Sequence, residues 1–142
     1  MDKEILHKEI DLIQSVINRM ANNSFLLKGW LISIIAVVLA LSKDSIISKN
    51  DYAIFIVMLL PTLTFWYLDA FFLHKEKCYR KLYDWVIENR EKSKEFLYNL
   101  NYKRFESEVH SIFRIMFSTT LLAFYGLPFL FLISIIAYKY FC

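Results

Sequence analysis

Three long apolar stretches, at residues 26–41, 52–73 and 112–138, alternate with polar connectors along a chain of 142 residues. A soluble core of that size has no room to hide all of them. A bilayer core near 30 Å thick is crossed by about 20 apolar residues in a helix. The first stretch holds only one charge, Lys28. Its length covers about 24 Å at the helical rise, so residue 42 or the preceding segment must complete the crossing. Lys28 lies close enough to the end to carry its ammonium back to the headgroups, with Trp30 at the interface. The hydrophobic share is 57%, above the ordinary soluble range of roughly 45–50%, and only two glycines and two prolines interrupt it. The sequence therefore predicts an all-α membrane protein with three transmembrane helices. No small-residue cleavage site follows the first stretch, which is expected to be retained rather than removed as a leader.

The segment before the first span carries Leu6, Ile10, Ile13, Ile17 and Met20 at steps of four, three, four and three. This is the seam of a helical bundle or short coiled coil, with isoleucine at both inner positions favouring more than two strands. Ile5, Leu12 and Val16 widen the stripe. A helix lying flat on lipid is the alternative, but such helices are usually basic. Here Asp2, Glu4, Glu9 and Asp11 outnumber Lys3, Lys8 and Arg19. These five seam residues are the expected oligomerisation face, and a tetramer is the expected assembly. Gly29, Ser33, Ala36 and Ala40 then give the first span a face of small side chains, which lets helices approach closely in lipid. Asn22, Asn23 and Ser24 are mediocre helix formers at the membrane boundary, where a bend is possible.

The second span carries Pro61 in its middle and Asp69 still inside the apolar run. An intramembrane acid is by default functional. A structural pair with Lys28, which enters the membrane at the same end, explains it slightly better, because both lie only a turn or so below the interface. Lys28 and Asp69 are accordingly the candidate gating or coupling residues. Residues 74–110 hold nine bases against seven acids, a net charge of +2, and the other connectors are nearly bare of basic residues. That asymmetry places this connector, and with it the amino terminus, in the cytoplasm. The expected order is a cytoplasmic amphipathic helix (1–25), first span (26–42), outer loop (43–51) and second span (52–73), then a cytoplasmic helical connector (74–110), third span (111–138) and outer tail (139–142). The second helix is expected to continue to about Asn99, with residues 99–102 as the break. Gly126 and Pro128 allow the third span to bend. Cys78 and Cys142 would face opposite sides of the membrane, so no disulfide is expected between them.

Sequence motifs for catalysis are missing: there is no glycine-rich phosphate loop, no HExxH and no paired CxxC. His74 and Cys78 stand at i and i+4, and His110 returns towards them, which is the one arrangement that suggests a metal; no cofactor or metal is expected from it. The connector interleaves Tyr79, Arg80, Lys81 and Tyr83, then Lys94, Tyr98, Tyr102, Lys103 and Arg104. Basic grooves with stacking rings hold single-stranded nucleic acid, so these are the candidate ligand-binding residues. Positive-inside loops are basic without any ligand, however, and aromatic rings also pack helical hairpins. Ser118, Thr119 and Thr120 are the candidate pore-lining residues. Three spans enclose no aqueous channel alone, so a pore requires several copies.

Two segments, IQSVINRMANNSFLLKGW at residues 13–30 and FWYLDAFFLHKEKCYRKLYD at 65–84, together resemble small bacterial membrane proteins of anti-phage defence loci, most nearly the Hailong-type membrane effectors. The resemblance covers roughly the first 85 residues; the third span matches only in character. It implies an oligomeric effector encoded beside a nucleotidyltransferase, held inactive by DNA oligomers from that enzyme until infection removes them and the membrane is compromised. By the same resemblance Arg19, Asn23, Ser24, Lys28, Trp30, Asp69, Arg80, Lys81 and Tyr83 carry importance, without assigned ligand contacts. The expected function is therefore a gated, oligomeric inner-membrane pore, with a non-conducting anchor for a partner enzyme as the alternative. A metal-dependent membrane enzyme built on His74, Cys78 and His110 is a third reading.

Overall fold

The structure, a computed structural model, describes residues 3–41, 53–90 and 92–141. The expected outer loop at 43–51 and Cys142 lie outside the described residues. Helix α1 runs without a break over Lys3–Leu41, and α2 over Ala53–Asn89. A 3-10 helix follows at Tyr102–Glu108, then a short α3 at Ile112–Met116. The last helix, α4, opens at Thr119–Leu121, passes through a π-helical turn at Leu122–Gly126 and continues as Leu127–Phe141. No strand occurs among the described residues. Helices α1, α2 and α4 are each long and apolar enough to cross a membrane.

α1 and α2 form an antiparallel pair whose contact stripe runs the full length of α1. Glu9, Ile13, Ile17, Ser24, Leu27 and Leu31 are its buried residues, at steps that keep to one helical face. Asn22, Asn23 and Ser24 stay helical, so the helix is not interrupted at this boundary. Pro61 also sits inside a continuous helix. At 39 and 37 residues these helices exceed any bilayer, and their surplus turns extend beyond it as a two-helix stalk.

The core has three parts. Ile13, Ile17, Leu82, Val86 and Phe105 bury the stalk, with Leu6 and Ile10 packed against them. Leu31, Trp66, Ala70, Ile115, Leu121 and Tyr125 join all three spans near the stalk's root. Phe55, Met58 and Leu132 close the opposite end. Around them the span surfaces are apolar, with Phe25, Ile32, Val37, Val57, Leu60, Leu130 and Phe131 all exposed, as lipid contact requires.

Two expectations about boundaries are corrected. α2 ends at Asn89, ten residues before the expected Asn99. Turning there lets the Arg90 guanidinium gather carbonyls at Ser93, Glu95 and Phe96, which a continuing helix would have kept for its own ladder. Asn99 and Asn101 then act as turn residues, each accepting an amide two positions on, and Asn101 caps the 3-10 helix. The third span is also not one helix from residue 111. It breaks at Phe117 and Ser118, where Ser118 turns extended, and restarts at Thr119. The π turn at Leu122–Gly126 lies just before Pro128. Proline removes an amide and crowds the carbonyl four residues back, here Phe124, inside the widened turn. At Gly126 a β-carbon would meet Leu122 Cδ1 at 3.1 Å, so that side chain would have to give by a few tenths of an ångström.

Candidate functional site

Asp69 is fully buried where the three spans meet. Its Oδ2 accepts from Lys28 Nζ of α1 and from the Tyr125 hydroxyl of α4 at 2.9 Å. Its Oδ1 accepts from Ser24 Oγ of α1. The same serine oxygen accepts a second bond from Lys28 at 2.9 Å. One carboxylate therefore ties together three helices through three donors. In a low-dielectric interior an isolated carboxylate would cost several kcal/mol, so this arrangement exists only while all three spans are packed. Ser24 and Lys28 are i and i+4 on α1, which puts both on the face towards α2.

Tyr125 reaches Asp69 from the π turn of α4. Such turns insert an extra residue into a helix and recur where a side chain must be re-aimed. Trp66, one turn before Asp69 on α2, stacks on Tyr125 with centroids 6.2 Å apart and planes 9° apart. Its indole N–H donates to the Met116 carbonyl at 2.8 Å. That carbonyl ends α3, and the break beyond it would otherwise leave it without a helical donor. The quartet and the helix break are therefore coupled through a single ring pair.

At the stalk's tip lies a second buried ion pair. Arg90 and Glu9 are each 1% exposed. The guanidinium binds both carboxylate oxygens, each at 2.6 Å, and donates to Glu95 O at 2.6 Å. Glu9 Oε1 also accepts the Tyr98 amide at 3.1 Å. The start of α1, the end of α2 and the segment between α2 and the 3-10 helix are thereby fastened at one point. In this segment Phe96 and Tyr98 have φ of 56° and 55°, the left-handed region that bulky residues rarely adopt.

The candidate ligand residues do not form one groove. Tyr79 and Tyr102 pack on each other at 5.2 Å, with Lys75 over the Tyr102 ring at 4.1 Å. Burial, and then the neighbouring Tyr102, push the Tyr79 phenol above its ordinary range. Arg80 is held by Glu76 at 2.7 Å, and Tyr83 packs against the stalk core. Lys81 approaches Glu108 at 3.9 Å. Lys94 and Lys103 are exposed, and Tyr98 lies at the tip. Arg104 stacks over Phe96, Trp85 and Phe105 at 4.1, 5.0 and 5.4 Å, with Nε and Nη2 buried and unbonded. A hollow of about 270 Å³ is lined by Lys77, Arg80 and Lys81 with Asp84 and Glu108.

The hydroxyls of the spans divide into two groups. Ser33, Thr62, Thr64 and Ser134 each donate to the carbonyl four residues back, a common way to satisfy a hydroxyl in lipid. Ser118 Oγ is buried without a partner, and Thr119 and Thr120 are exposed at the start of α4. The seam residues Ile13 and Ile17 are buried against Leu82 and Val86 of the same chain, with Leu6 and Ile10 beside them and Met20 half-buried. Gly29, Ser33, Ala36 and Ala40 are exposed, and a β-carbon on Gly29 would meet nothing within 4 Å.

His74 and Cys78 do come together, with Sγ and Nε2 3.7 Å apart. His110 contributes its backbone carbonyl, which accepts from His74 Nδ1 at 3.0 Å, and Glu106 lies 3.6 Å from Nε2. No group of three or more metal-ligating side chains occurs among the described residues.

These features define an all-helical protein with three helices long and apolar enough to cross a membrane, and a polar quartet at the root of a two-helix stalk. No protein-family model matches the sequence, and neither a curated protein nor a solved structure is similar to it.

The quartet was half legible in the sequence. Lys28 and Asp69 stand out as charges inside apolar runs. Tyr125 gives no such signal, and Glu9 and Arg90 read as ordinary surface charges. The one available clue was that Glu9 sits four residues before Ile13, beside the apolar seam.

Proposed function

We propose that this chain is a membrane effector of bacterial anti-phage defence, acting as a gated oligomeric pore that depolarises the inner membrane. The stalk faces the cytoplasm, where a DNA oligomer or nucleotide signal from a partner nucleotidyltransferase holds the pore closed. The observation that carries this reading is the Asp69 quartet. A polar knot joining all three spans at the stalk's root is a stable link through which a change in the stalk repositions α4. Support for a pore comes from Ser118, Thr119 and Thr120, which make no bond back to their own helix. Support for assembly comes from the unfilled small-residue face of α1. The hollow lined by Lys77, Arg80 and Lys81 is the proposed ligand contact, since phosphates are held by clustered bases.

The experiment is the membrane potential of bacteria expressing the chain alone, and then with its neighbouring gene. Depolarisation relieved by the neighbour is the expected result. Polarised, healthy cells in both cases, with the protein verified in the membrane, would overturn the pore reading.

A non-conducting anchor for a partner enzyme is the second reading. One observation favours it: the carboxylates of Asp69 and Glu9 find their partners within a single copy. Co-purification of an enzyme without any change in potential would select it.

A further inference from the structure

The seam that the spacing of Leu6, Ile10, Ile13 and Ile17 suits to helices of its own kind is covered, in this structure, by Leu82, Val86 and Phe105 of the same chain. We propose that the seam has two alternative occupants: the chain's own α2 in a closed state, and the α1 seams of further copies in an open state. The Glu9–Arg90 pair is the latch between them. This rests on the oligomeric effector reading above and deepens it by naming the surface through which copies associate.

Three observations carry the exchange. The first is the heptad spacing itself, with isoleucine at both inner positions, which suits self-association of several identical helices. The face that α2 presents to the seam, Tyr79, Leu82 and Val86, is only partly aliphatic and is completed by Phe105 from the 3-10 helix. The second is the latch. Glu9 stands at the edge of the seam, and its carboxylate is held only by groups from the end of α2 and the segment after it: the Arg90 guanidinium and the Tyr98 amide. At the tip this buried ion pair adds to the apolar contacts that Leu6 and Ile10 make with the stalk cluster. The third is stored strain. Phe96 and Tyr98, both with positive φ, are kept in place by Arg90's bonds to the Glu95 and Phe96 carbonyls and by the Glu9 bond to Tyr98. Releasing Glu9 removes the buried pair at the edge of the seam and one of the bonds that hold the strained segment, so relaxation there favours opening alongside new packing. A ligand that binds the stalk only when α1 and α2 are paired would hold the seam closed, because it binds one state and not the other.

The test is cysteine crosslinking in membranes containing the full chain, in a Cys78→Ala, Cys142→Ser background. Single cysteines are placed in the seam (Ile10→Cys or Ile17→Cys) and on the opposite exposed face (Ser15→Cys), with and without Glu9→Gln. The expected result is at least a tenfold rise in copy-to-copy crosslinks on Glu9→Gln at the seam positions, and none at Ser15→Cys. Adding Ile13→Asp should abolish the rise. Equal crosslinking with and without Glu9→Gln would overturn the exchange. So would an equal gain at Ser15→Cys, which is the signature of unfolding or aggregation. Potential measured on the same cells separates this inference from its parent. Seam crosslinks without depolarisation support the exchange and count against the pore. Depolarisation without seam crosslinks overturns the exchange and leaves the pore standing.

Discussion

The carboxylate of Asp69 is closed off from solvent and takes the ammonium of Lys28 from the neighbouring helix, although 41 residues separate them in sequence. Neither partner is replaceable alone. Asp69→Ala strands a partly buried ammonium, and Lys28→Ala strands a buried carboxylate. Breaking such a pair costs about 3–5 kcal/mol, whereas replacing both partners by apolar residues recovers much of it. Thermal unfolding in detergent should therefore rank both single variants well below wild type, with Lys28→Met combined with Asp69→Leu between them. Both single variants are expected to insert yet lose toxicity in cells. Unchanged toxicity in both would remove the coupling role.

Glycine at position 98 should stabilise the protein. Tyr98 is 43% exposed and its φ is 55°, so Tyr98→Gly relieves a left-handed conformation at little cost in contacts. The gain is about 1 kcal/mol, and the amide that Glu9 accepts is kept. Phe96→Gly relieves the same strain but removes the ring that covers Trp85 and Arg104. Denaturant unfolding is expected to show a gain for the first and none for the second. Equal gains for both would mean that the Phe96 ring contributes nothing.

Burial pushes the Cys78 thiol above its ordinary value, outweighing the nearby Lys75 ammonium. The folded protein thus keeps the proton that the unfolded chain would release. The stability linked to this group is present in full below about pH 8.5, the ordinary thiol value, and is lost as pH rises towards the folded value. Maleimide labelling of Cys78 in native membranes should be slow at pH 7 and become rapid only on denaturation. Rapid native labelling would show that the packing around Cys78 opens readily.

Gly29→Leu separates folding from assembly. Among the described residues nothing beyond its chain neighbours and own helix backbone lies within 4 Å of a β-carbon at that site, so the variant should fold and insert as wild type does. An assembly packed on the small-residue face should lose its higher oligomers by crosslinking. Retention of those oligomers would place the interface elsewhere.

The spans were readable because lipid imposes one rule on every crossing: a long apolar helix with its charges accounted for. Lys28 and Asp69 were conspicuous as the violations of that rule. The early end of α2 had no such mark, since residues 90–99 are as polar as many helical surfaces. What ends the helix is Arg90 binding Glu9, a residue 81 positions away, and local sequence carries no trace of a distant partner. Tyr125 was hidden for a related reason. Its hydroxyl reaches Asp69 only because the π turn re-aims it, and the ordinary helical period does not foresee that turn. The seam was legible as a surface that packs on protein, but its spacing does not say which protein. In this structure the partner is α2.

An unbroken α1 held at Ser24 and Lys28 has the geometry of a rod fixed near its middle. At the helical rise, about 30 Å of it lies on the stalk side of Ser24 and about 26 Å on the membrane side. The Asp69 quartet is the pivot. A swing of about 10° would then carry the two ends roughly 5 Å in opposite directions. Spreading of the stalk tip would appear at the far side of the bilayer as an inward or outward step of comparable size, with no bond inside the helix altered.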